Sequence, residues 1–144
     1  MVEIVHATSQ DASQLVGLSK ILGYDTDEAS LTNRINKITS LNNHCLLVAK
    51  DGDEVIGFCH GYVRTLVEVE EVVEIGGLVV KDAWQGKGIA KELVEGIEHW
   101  AKEMGFGRIV LSSNILRTKA HGFYEHMGYK KIKQQFAFKK QLSI

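Results

Sequence analysis

A chain of 144 residues, 44% of them hydrophobic, can bury one core but not two, so we expect a single domain over residues 1–144. Its 17 basic and 18 acidic side chains nearly cancel, which excludes a long-range attraction to nucleic acid or to an anionic membrane. There is no signal-peptide pattern and no apolar run of membrane-spanning length, and the two cysteines suit a reducing compartment, so we expect a cytoplasmic location.

The first 43 residues predict a short strand and two helices. Residues 3–7 alternate as a strand does, and the polar residues 9–11 offer oxygens that can cap the helix that follows. Gly23 ends this helix, because glycine adopts the left-handed terminal conformation without strain. Residues 25–43 predict a second helix with one apolar face. We expect both helices to cover one face of a sheet.

From residue 44 the pattern predicts strands. Residues 44–50 and 54–63 form a hairpin in this interpretation, because the Asp-Gly step at Gly52 supplies the positive φ that a tight turn needs. A third antiparallel strand is expected within residues 67–80. The pair Gly76-Gly77 interrupts it, and glycine inside a strand is typical of a bulge or of a close approach by another backbone or a ligand.

The last part of the chain predicts two more helices and two more strands. An apolar stripe indicates a helix over residues 89–104, and the buried strand 108–113 should lie parallel to the third strand because a helix separates the two. A last helix over residues 120–127 ends at Gly128, and residues 132–138 alternate as an antiparallel edge strand does. The expected fold is α/β, with a mostly antiparallel mixed sheet and about four flanking helices.

The loop before the third helix is a candidate phosphate site. Gly86 and Gly88 let the backbone curl around an oxyanion, and the helix that follows presents unpaired N–H groups and the positive end of its dipole. The loop is not a Walker motif, because Gly88 and not Ser or Thr follows Lys87, and it lacks the third glycine of the dinucleotide fingerprint. The loop therefore suits the pyrophosphate of a ligand that is neither a hydrolysed triphosphate nor a dinucleotide.

Histidines and cysteines do not predict a metal site. His121 and His126 do not have the spacing of a metalloprotease ligand pair, and Cys45 and Cys59 are too few and too far apart for a metal knuckle. The two cysteines fall on consecutive strands, where buried free thiols are favoured and a pairing stays open. His60 lies in a strand, where it either lines a binding cleft or packs as an ordinary strand residue.

Two motifs resemble one family. The loop Gln85-Gly86-Lys87-Gly88-Ile89-Ala90 is similar to the Gln/Arg-x-x-Gly-x-Gly/Ala signature of the GNAT superfamily of acetyl-CoA-dependent N-acetyltransferases, and it has the expected strand before it and helix after it. Asn114, followed by the Phe-Tyr-containing segment 120–129, resembles the second hallmark of that family. The resemblance covers nearly the whole chain and implies the GNAT fold, in which two parallel strands splay apart.

The resemblance implies that acetyl-CoA is the cosubstrate. Backbone groups of the third strand would pair with the pantetheine arm, the N–H groups of the loop would hold the pyrophosphate, and residues of the second hallmark would contact the cofactor from the facing side. The implied cofactor-binding residues are Leu78, Val79, Val80, Gln85, Gly86, Lys87, Gly88, Ile89, Ala90, Asn114, Ala120 and Phe123.

The resemblance also implies a catalytic pair. An alkyl ammonium with a pKa of about 10 must lose a proton before it attacks a thioester, and Glu74 is the first choice for that base, with Glu71 or a water chain as alternatives. Glu74 is otherwise a solvated carboxylate or an ion-pair partner. Tyr124 stands where the family has its general acid, which protonates the leaving thiolate; the alternative is a core tyrosine.

The acceptor is expected to be a primary amine of a small molecule. The segment 111–124 and the closing segment 136–140 look most like the small-molecule, bacterial-type branch of the superfamily, nearest to aminoalkylphosphonate and aminoglycoside N-acetyltransferases. Two alternatives stay open: a protein N-terminus or lysine as acceptor, which the acidic residues Glu68, Glu70 and Glu71 would favour, and a non-catalytic acetyl-CoA-binding module. A homodimer is compatible with the sequence, which leaves the oligomeric state open.

Overall fold

A computed structural model describes all 144 residues, and its contacts divide the chain into two compact units, Met1–Ser112 and Ser113–Ile144. The single domain expected over residues 1–144 stays a prediction. The elements of the first unit are β1 (Val2–His6), α1 (Ala12–Ile21), α2 (Glu28–Thr39), β2 (His44–Asp51), β3 (Glu54–Arg64), β4 (Val72–Val80), α3 (Ile89–Glu103) and β5 (Ile109–Leu111), with short 3-10 turns at Ser9–Asp11 and Asp82–Trp84.

The five strands form one sheet in the order β1-β2-β3-β4-β5. All neighbours are antiparallel except β4 and β5, which are parallel as predicted. The pairing of β3 with β4 shifts by one residue, because Gly77 pairs with His60 and Ile75 with Gly61, which leaves Gly76 as the extra residue of a bulge. The bulge expected at the two glycines is confirmed, and so is the mixed α/β fold.

Helices cover both faces of the sheet. Helices α1 and α2 pack their apolar side chains on one face, and α3 packs on the other. Helix α3 packs closely on β3 at Gly61. A Cβ on Gly61 would lie 2.7 Å from Ile97 Cγ2, a distance shorter than real Cβ atoms show, so only glycine fits at this position. The buried residues of α3 are Ile89, Leu93, Val94, Ile97 and Ala101. None of the helices combines the length and apolar character that a membrane crossing requires.

The predicted start of the third strand was too early. Strand β4 begins at Val72, opposite Arg64, and the residues between them form an exposed loop. Val67 and Val69 alternate with glutamates as strand residues do, but no neighbouring strand pairs with them. Glu71 therefore lies in the loop and not on the strand.

The second unit contains α4 (Thr118–His126), which ends close to Gly128 as predicted. The predicted edge strand 132–138 was wrong, because residues 130–144 form neither helix nor strand. Alternation makes a strand only where another strand offers its backbone groups, and this unit contains no strand. Ile132, Phe136 and Phe138 are accordingly 76%, 89% and 95% exposed.

Candidate functional site

Strand β4 has an open edge along its second half. Strand β5 pairs with it only across residues 73–75, and no strand lies beside Leu78 or Val80 on that side. The N–H of Lys81 donates to Ile56 O on β3, and because successive residues of a strand point their backbone groups to alternate sides, those of Leu78 and Val80 point to the open edge. An extended chain can therefore pair with this edge.

Val79 differs from its two neighbours. The same alternation directs its backbone groups toward β3, where it lies opposite Phe58, and its side chain is buried in the core between the sheet and helices α1 and α2. Of the three residues that the sequence assigns to pantetheine pairing, Leu78 presents its N–H and C=O and Val80 presents its N–H, because Val80 O accepts from the side chain of Gln85. Val79 fixes the strand between them.

The glycine loop after β4 is an open cradle. Gly86 and Gly88 have φ values of +77° and +81°, the left-handed region that favours glycine, and a Cβ on either residue would meet nothing within 4 Å. Gly88 is the N-cap of α3, and the N–H of Glu92 donates to its carbonyl at 3.1 Å. The N–H groups of Ile89 and Ala90, in the first turn of the helix, therefore have no partner within the helix and can bind an anion.

Gln85 connects the glycine cradle to the end of β4 by hydrogen bonds, so it is not one of the free donors of the cradle. Its backbone N–H donates to Asp82 O at 3.2 Å, and its side-chain Nε2 donates to Val80 O at 3.3 Å and to Asp82 Oδ1 at 3.2 Å. The free donors of the loop therefore begin after Gln85. At the rim, Lys87 Nζ lies 5.0 Å from the centre of the Trp84 ring, a cation–π distance that keeps a positive charge beside the cradle.

Glu74 lies on the sheet face that carries Tyr62, its cross-strand partner. Its Oε1 accepts a hydrogen bond from Arg64 Nη1 at 3.0 Å, and the two side chains are 20% and 28% exposed. Burial raises the pKa of Tyr62, and a hydrogen bond to the Glu74 carboxylate raises it further. Glu74 is thus an ion-pair partner within reach of solvent, and its role as a base stays a prediction. The alternative base Glu71 is exposed and accepts from Thr65 Oγ1 at 2.6 Å.

Two histidines lie beside this tyrosine. His44 Nδ1 is 2.9 Å from His60 Nε2, and the two rings stack with centroids 5.2 Å apart at 16°. Both rings contact Tyr62, at centroid distances of 5.6 and 5.8 Å. Burial lowers the pKa of His60 to about 4, helped by His44 nearby, and burial also lowers the pKa of His44. We call these three residues and Glu74 the histidine–tyrosine patch; the sequence pointed to His60 and Glu74 but not to the other two.

The remaining predicted site residues lie in the second unit. Asn114 closes a turn there, because its Oδ1 accepts from the N–H of Leu116 at 2.9 Å and its backbone O lies 2.8 Å from His121 Nε2. Tyr124 is half-buried on α4 and its ring contacts those of Phe123 and Tyr129 edge-on. Ala120 is on the same helix and is also half-buried. The cofactor and acid roles of these residues stay predictions.

The cysteines are buried free thiols, as expected. Burial raises the pKa of Cys45 to about 11 and raises that of Cys59 further, so both stay protonated at neutral pH. No three His, Cys, Asp or Glu side chains lie close enough together to hold a metal ion.

Two concavities lie elsewhere on the molecule. One of about 420 Å³ borders α1 and the loop after it, lined by Lys20, Asp25 and Asp27 among others, and one of about 310 Å³ lies between α3 and strands β1 and β2. Neither includes β4 or the glycine cradle. The candidate site is therefore defined by an open strand edge and a loop, not by an enclosed cavity.

Comparisons with known proteins agree on the family. The acetyltransferase (GNAT) family matches residues 12–129. An aminoalkylphosphonate N-acetyltransferase from Salmonella typhimurium is 31% identical over 143 residues, which cover 97% of this chain and 91% of that protein. N-acetyltransferase 8B from Homo sapiens is 30% identical over 93 residues; these are 64% of this chain and only 41% of that protein.

The fold is shared with solved acetyltransferase structures. An aminoglycoside N-acetyltransferase in complex with CoA has a TM-score of 0.87 and 17% identity, over 99% of this chain and 96% of that one. The mixed sheet with its parallel β4–β5 pair is thus the fold of this group of enzymes. With a family match over most of its length and a relative that is similar almost from end to end, the chain belongs to the acetyltransferase (GNAT) family.

Proposed function

We propose that this chain transfers the acetyl group of acetyl-CoA to a primary amine of a small molecule, by direct attack of the amine within a ternary complex. The observation that carries the proposal is a run of 15 consecutive residues, from Glu74 to Gly88. This run combines a half-buried carboxylate, a bulge and an open strand edge on β4 with the glycine cradle that follows the strand. Membership of the family supports acetyl transfer, and relatives that act on aminoalkylphosphonates and aminoglycosides support a small amine.

Acetyl-CoA would bind along β4 and across the cradle. Its pantetheine arm pairs with the backbone groups of Leu78 and the N–H of Val80, and its pyrophosphate takes hydrogen bonds from the N–H groups between Gly86 and Ala90. Lys87 adds a positive charge at the rim. The cofactor roles that the sequence gives to Asn114, Ala120 and Phe123 are part of the same proposal. The solved relative that holds CoA supports this choice of cofactor.

The proton transfers follow from the chemistry of the amine. Glu74 takes a proton from the ammonium, directly or through water, and the neutral nitrogen attacks the thioester carbon. The C–N bond forms, the C–S bond breaks, and Tyr124 gives its phenolic proton to the leaving thiolate. The nitrogen loses its second proton as the amide forms; this proton and the one on Glu74 pass to solvent, from which Tyr124 takes one back. The products are an acetamide and CoA, and one proton is released overall.

The first experiment separates binding from turnover. We expect acetyl-CoA to raise the melting temperature of the protein, and the protein to release CoA when it is given 2-aminoethylphosphonate, kanamycin A, a polyamine or a lysine-containing peptide. CoA release with the small amines supports the proposal, and release with the peptide alone would move the acceptor to proteins. A protein that acetyl-CoA does not stabilise would overturn the proposed function.

A second experiment separates an enzyme from a binding module. Tyr124→Phe should lower kcat about 100-fold and leave the acetyl-CoA-induced rise in melting temperature unchanged, because only the thiolate loses its proton donor. Tyr129→Phe is the matched control, since its ring contacts Tyr124 in the same unit. An unchanged kcat in Tyr124→Phe would remove this residue from the mechanism.

A further inference from the structure

A pair of imidazoles lies on the sheet face that carries Glu74, and the proposed function gives it no role. His44 begins β2 and His60 lies near the end of β3, and the 2.9 Å between His44 Nδ1 and His60 Nε2 is a hydrogen-bond distance. One of these two nitrogens therefore carries the hydrogen and the other accepts it. Each ring keeps its second nitrogen free of this contact.

The second nitrogen of His60 is directed toward the bulge of β4. His60 Nδ1 lies 3.6 Å from the position of a Cβ on Gly76, and it makes no hydrogen bond within the chain. The ring of Tyr62 lies 3.4 Å from the same position. Since Gly76 has no side chain, a space remains between its backbone and the rings of His60 and Tyr62. This space lies where the open edge of β4 begins.

The pair is neutral, and His60 can take up a proton at one nitrogen only as it gives up the proton on the other, because a pKa of about 4 disfavours its charged form. His60 is neutral near pH 7 because burial and the neighbouring His44 both disfavour its charged form. When His60 Nε2–H donates to His44 Nδ1, His60 Nδ1 is left as a free acceptor and His44 carries its hydrogen on Nε2. His44 is half-buried, so its ring is within reach of water.

No other group on this face is as free to accept a proton. The titratable groups around the pair are Tyr62 and Arg64 from β3 and Glu74 from β4, and Arg64 and Tyr62 both hold the Glu74 carboxylate. Helices α1 and α2 contribute apolar side chains to this face. His60 Nδ1 is therefore the uncommitted acceptor of the histidine–tyrosine patch.

We propose that His60 is a second proton acceptor of the acetyl transfer and that His44 passes the proton on to solvent. The inference rests on the proposed function, in which the nitrogen of an ammonium must lose two protons to become an amide. Glu74 takes the first. The second moves to His60 Nδ1 as the C–N bond forms, the Nε2 proton of His60 moves to His44 Nδ1, and His44 Nε2 releases its proton to water.

The protons and bonds balance over one turnover. Two protons leave the nitrogen, one is delivered to the thiolate by Tyr124, and Tyr124 recovers one from water. Both imidazoles finish in the opposite tautomer, and exchange with water restores the first one. The net release is one proton for each acetamide formed.

The test uses chemical rescue of the full chain. With acetyl-CoA and either 2-aminoethylphosphonate or kanamycin A, His60→Ala should lower kcat about 100-fold. Millimolar imidazole should then raise the kcat of the variant at least tenfold, because the variant leaves a ring-sized space beside Gly76. His44→Gln should lower kcat about tenfold, and the acetyl-CoA-induced rise in melting temperature should be unchanged in both. His99→Gln is the matched control, since His99 is exposed on α3, where its Nε2 lies 3.2 Å from Glu103 Oε1.

Each outcome decides between the two proposals. A wild-type protein that consumes no acetyl-CoA with either amine overturns the proposed function and the relay with it. If the wild type is active, an unchanged kcat in His60→Ala, or a loss that imidazole does not restore, overturns the relay alone. Should His60→Ala fail to fold, the half-buried His44→Gln decides, and a wild-type kcat in that variant contradicts the relay.

Discussion

The glycine cradle and the open edge of β4 lie on one side of Gly76 in the chain, and the histidine–tyrosine patch lies on the other side. The first region is formed by backbone groups and the second by side chains. The cradle and the edge present backbone N–H and C=O groups, whose positions depend on two left-handed glycines and on a neighbouring strand that stops at Leu111. The patch presents four side chains from three strands, and it exists only because those strands pair in one register.

This difference decides how each region can change. A backbone site keeps its donors whatever side chains surround it, but it fails when a φ value or a strand edge changes. A side-chain site is lost with one substitution, and it can be rebuilt for another amine without moving the cofactor. We therefore expect the cradle and edge to serve the common cofactor and the patch to serve the acceptor and its protons.

The largest expected effect comes from the patch. Glu74→Gln should lower kcat/KM about 1000-fold, because the amide cannot take a proton from the ammonium, while the acetyl-CoA-induced rise in melting temperature persists. Glu71→Gln is the matched control, a carboxylate three residues earlier that accepts a hydrogen bond from Thr65. If the control loses activity and Glu74→Gln does not, the loop carboxylate is the base and the patch has a different role.

The cradle should respond in the opposite way. Gly88→Ala places a Cβ at φ +81° and should weaken acetyl-CoA binding about tenfold to 100-fold, as measured by titration calorimetry. Gly105→Ala is its control, since Gly105 has φ +92° just beyond the other end of α3. Both variants should lose about 1 kcal/mol of unfolding free energy, and only the first should lose cofactor affinity. Equal cofactor affinities in the two variants would remove the cradle from the site.

The two regions also differ in how far the sequence predicts them. Glycines in a fixed spacing between a strand and an amphipathic helix specify the cradle locally, so the loop, the helix after it and the bulge at Gly76 could all be predicted. The hydrogen bonds of the Gln85 side chain to Asp82 and Val80 could not be predicted, because they depend on the 3-10 turn at Asp82–Trp84.

The pairing of His44 with His60 depends on a bulge that the sequence does not mark. At the hairpin turn Asp51 pairs with Glu54, a register that would place His44 opposite Gly61 and His60 on the other face. A one-residue shift between Ala49 and Lys50 leaves Ile56 as the extra residue and brings His44 opposite Tyr62. Both histidines then share a face, and the extra residue, Ile56, is an ordinary apolar strand residue that does not predict the shift, although Gly57 follows it.

The predicted strand over residues 132–138 failed for a related reason. Its alternation of apolar residues with Lys131, Lys133 and Lys139 is a property of the segment alone, whereas a strand needs a partner edge. Helices α1 and α3 were predicted well because each closes its own hydrogen bonds and ends next to a left-handed glycine, Gly23 or Gly105. Local patterns therefore predict helices and loops here, and pairing decides the rest.

The smallest expected effect is the pH dependence of stability that His60 contributes. Its folded pKa is about 4 against an ordinary value of 6.5, so between these pH values the unfolded chain binds more protons than the folded chain. The free energy of unfolding therefore falls as the pH drops from 6.5 to 4. The full shift corresponds to about 3 kcal/mol, and we expect about 2 kcal/mol because the ring is partly exposed.

Urea unfolding of the wild type, His60→Gln and His99→Gln at several pH values between 7 and 4 would measure this contribution. Every other titratable group is the same in the wild type and in His60→Gln, so the difference in slope between these two proteins isolates one imidazole. His99→Gln shows what the loss of an exposed histidine elsewhere on the chain does to the slope. A wild-type slope in His60→Gln would mean that His60 takes up its proton in the folded chain as easily as in the unfolded one. The pair would then take up positive charge near pH 6.5, where it would repel the ammonium of an acceptor amine.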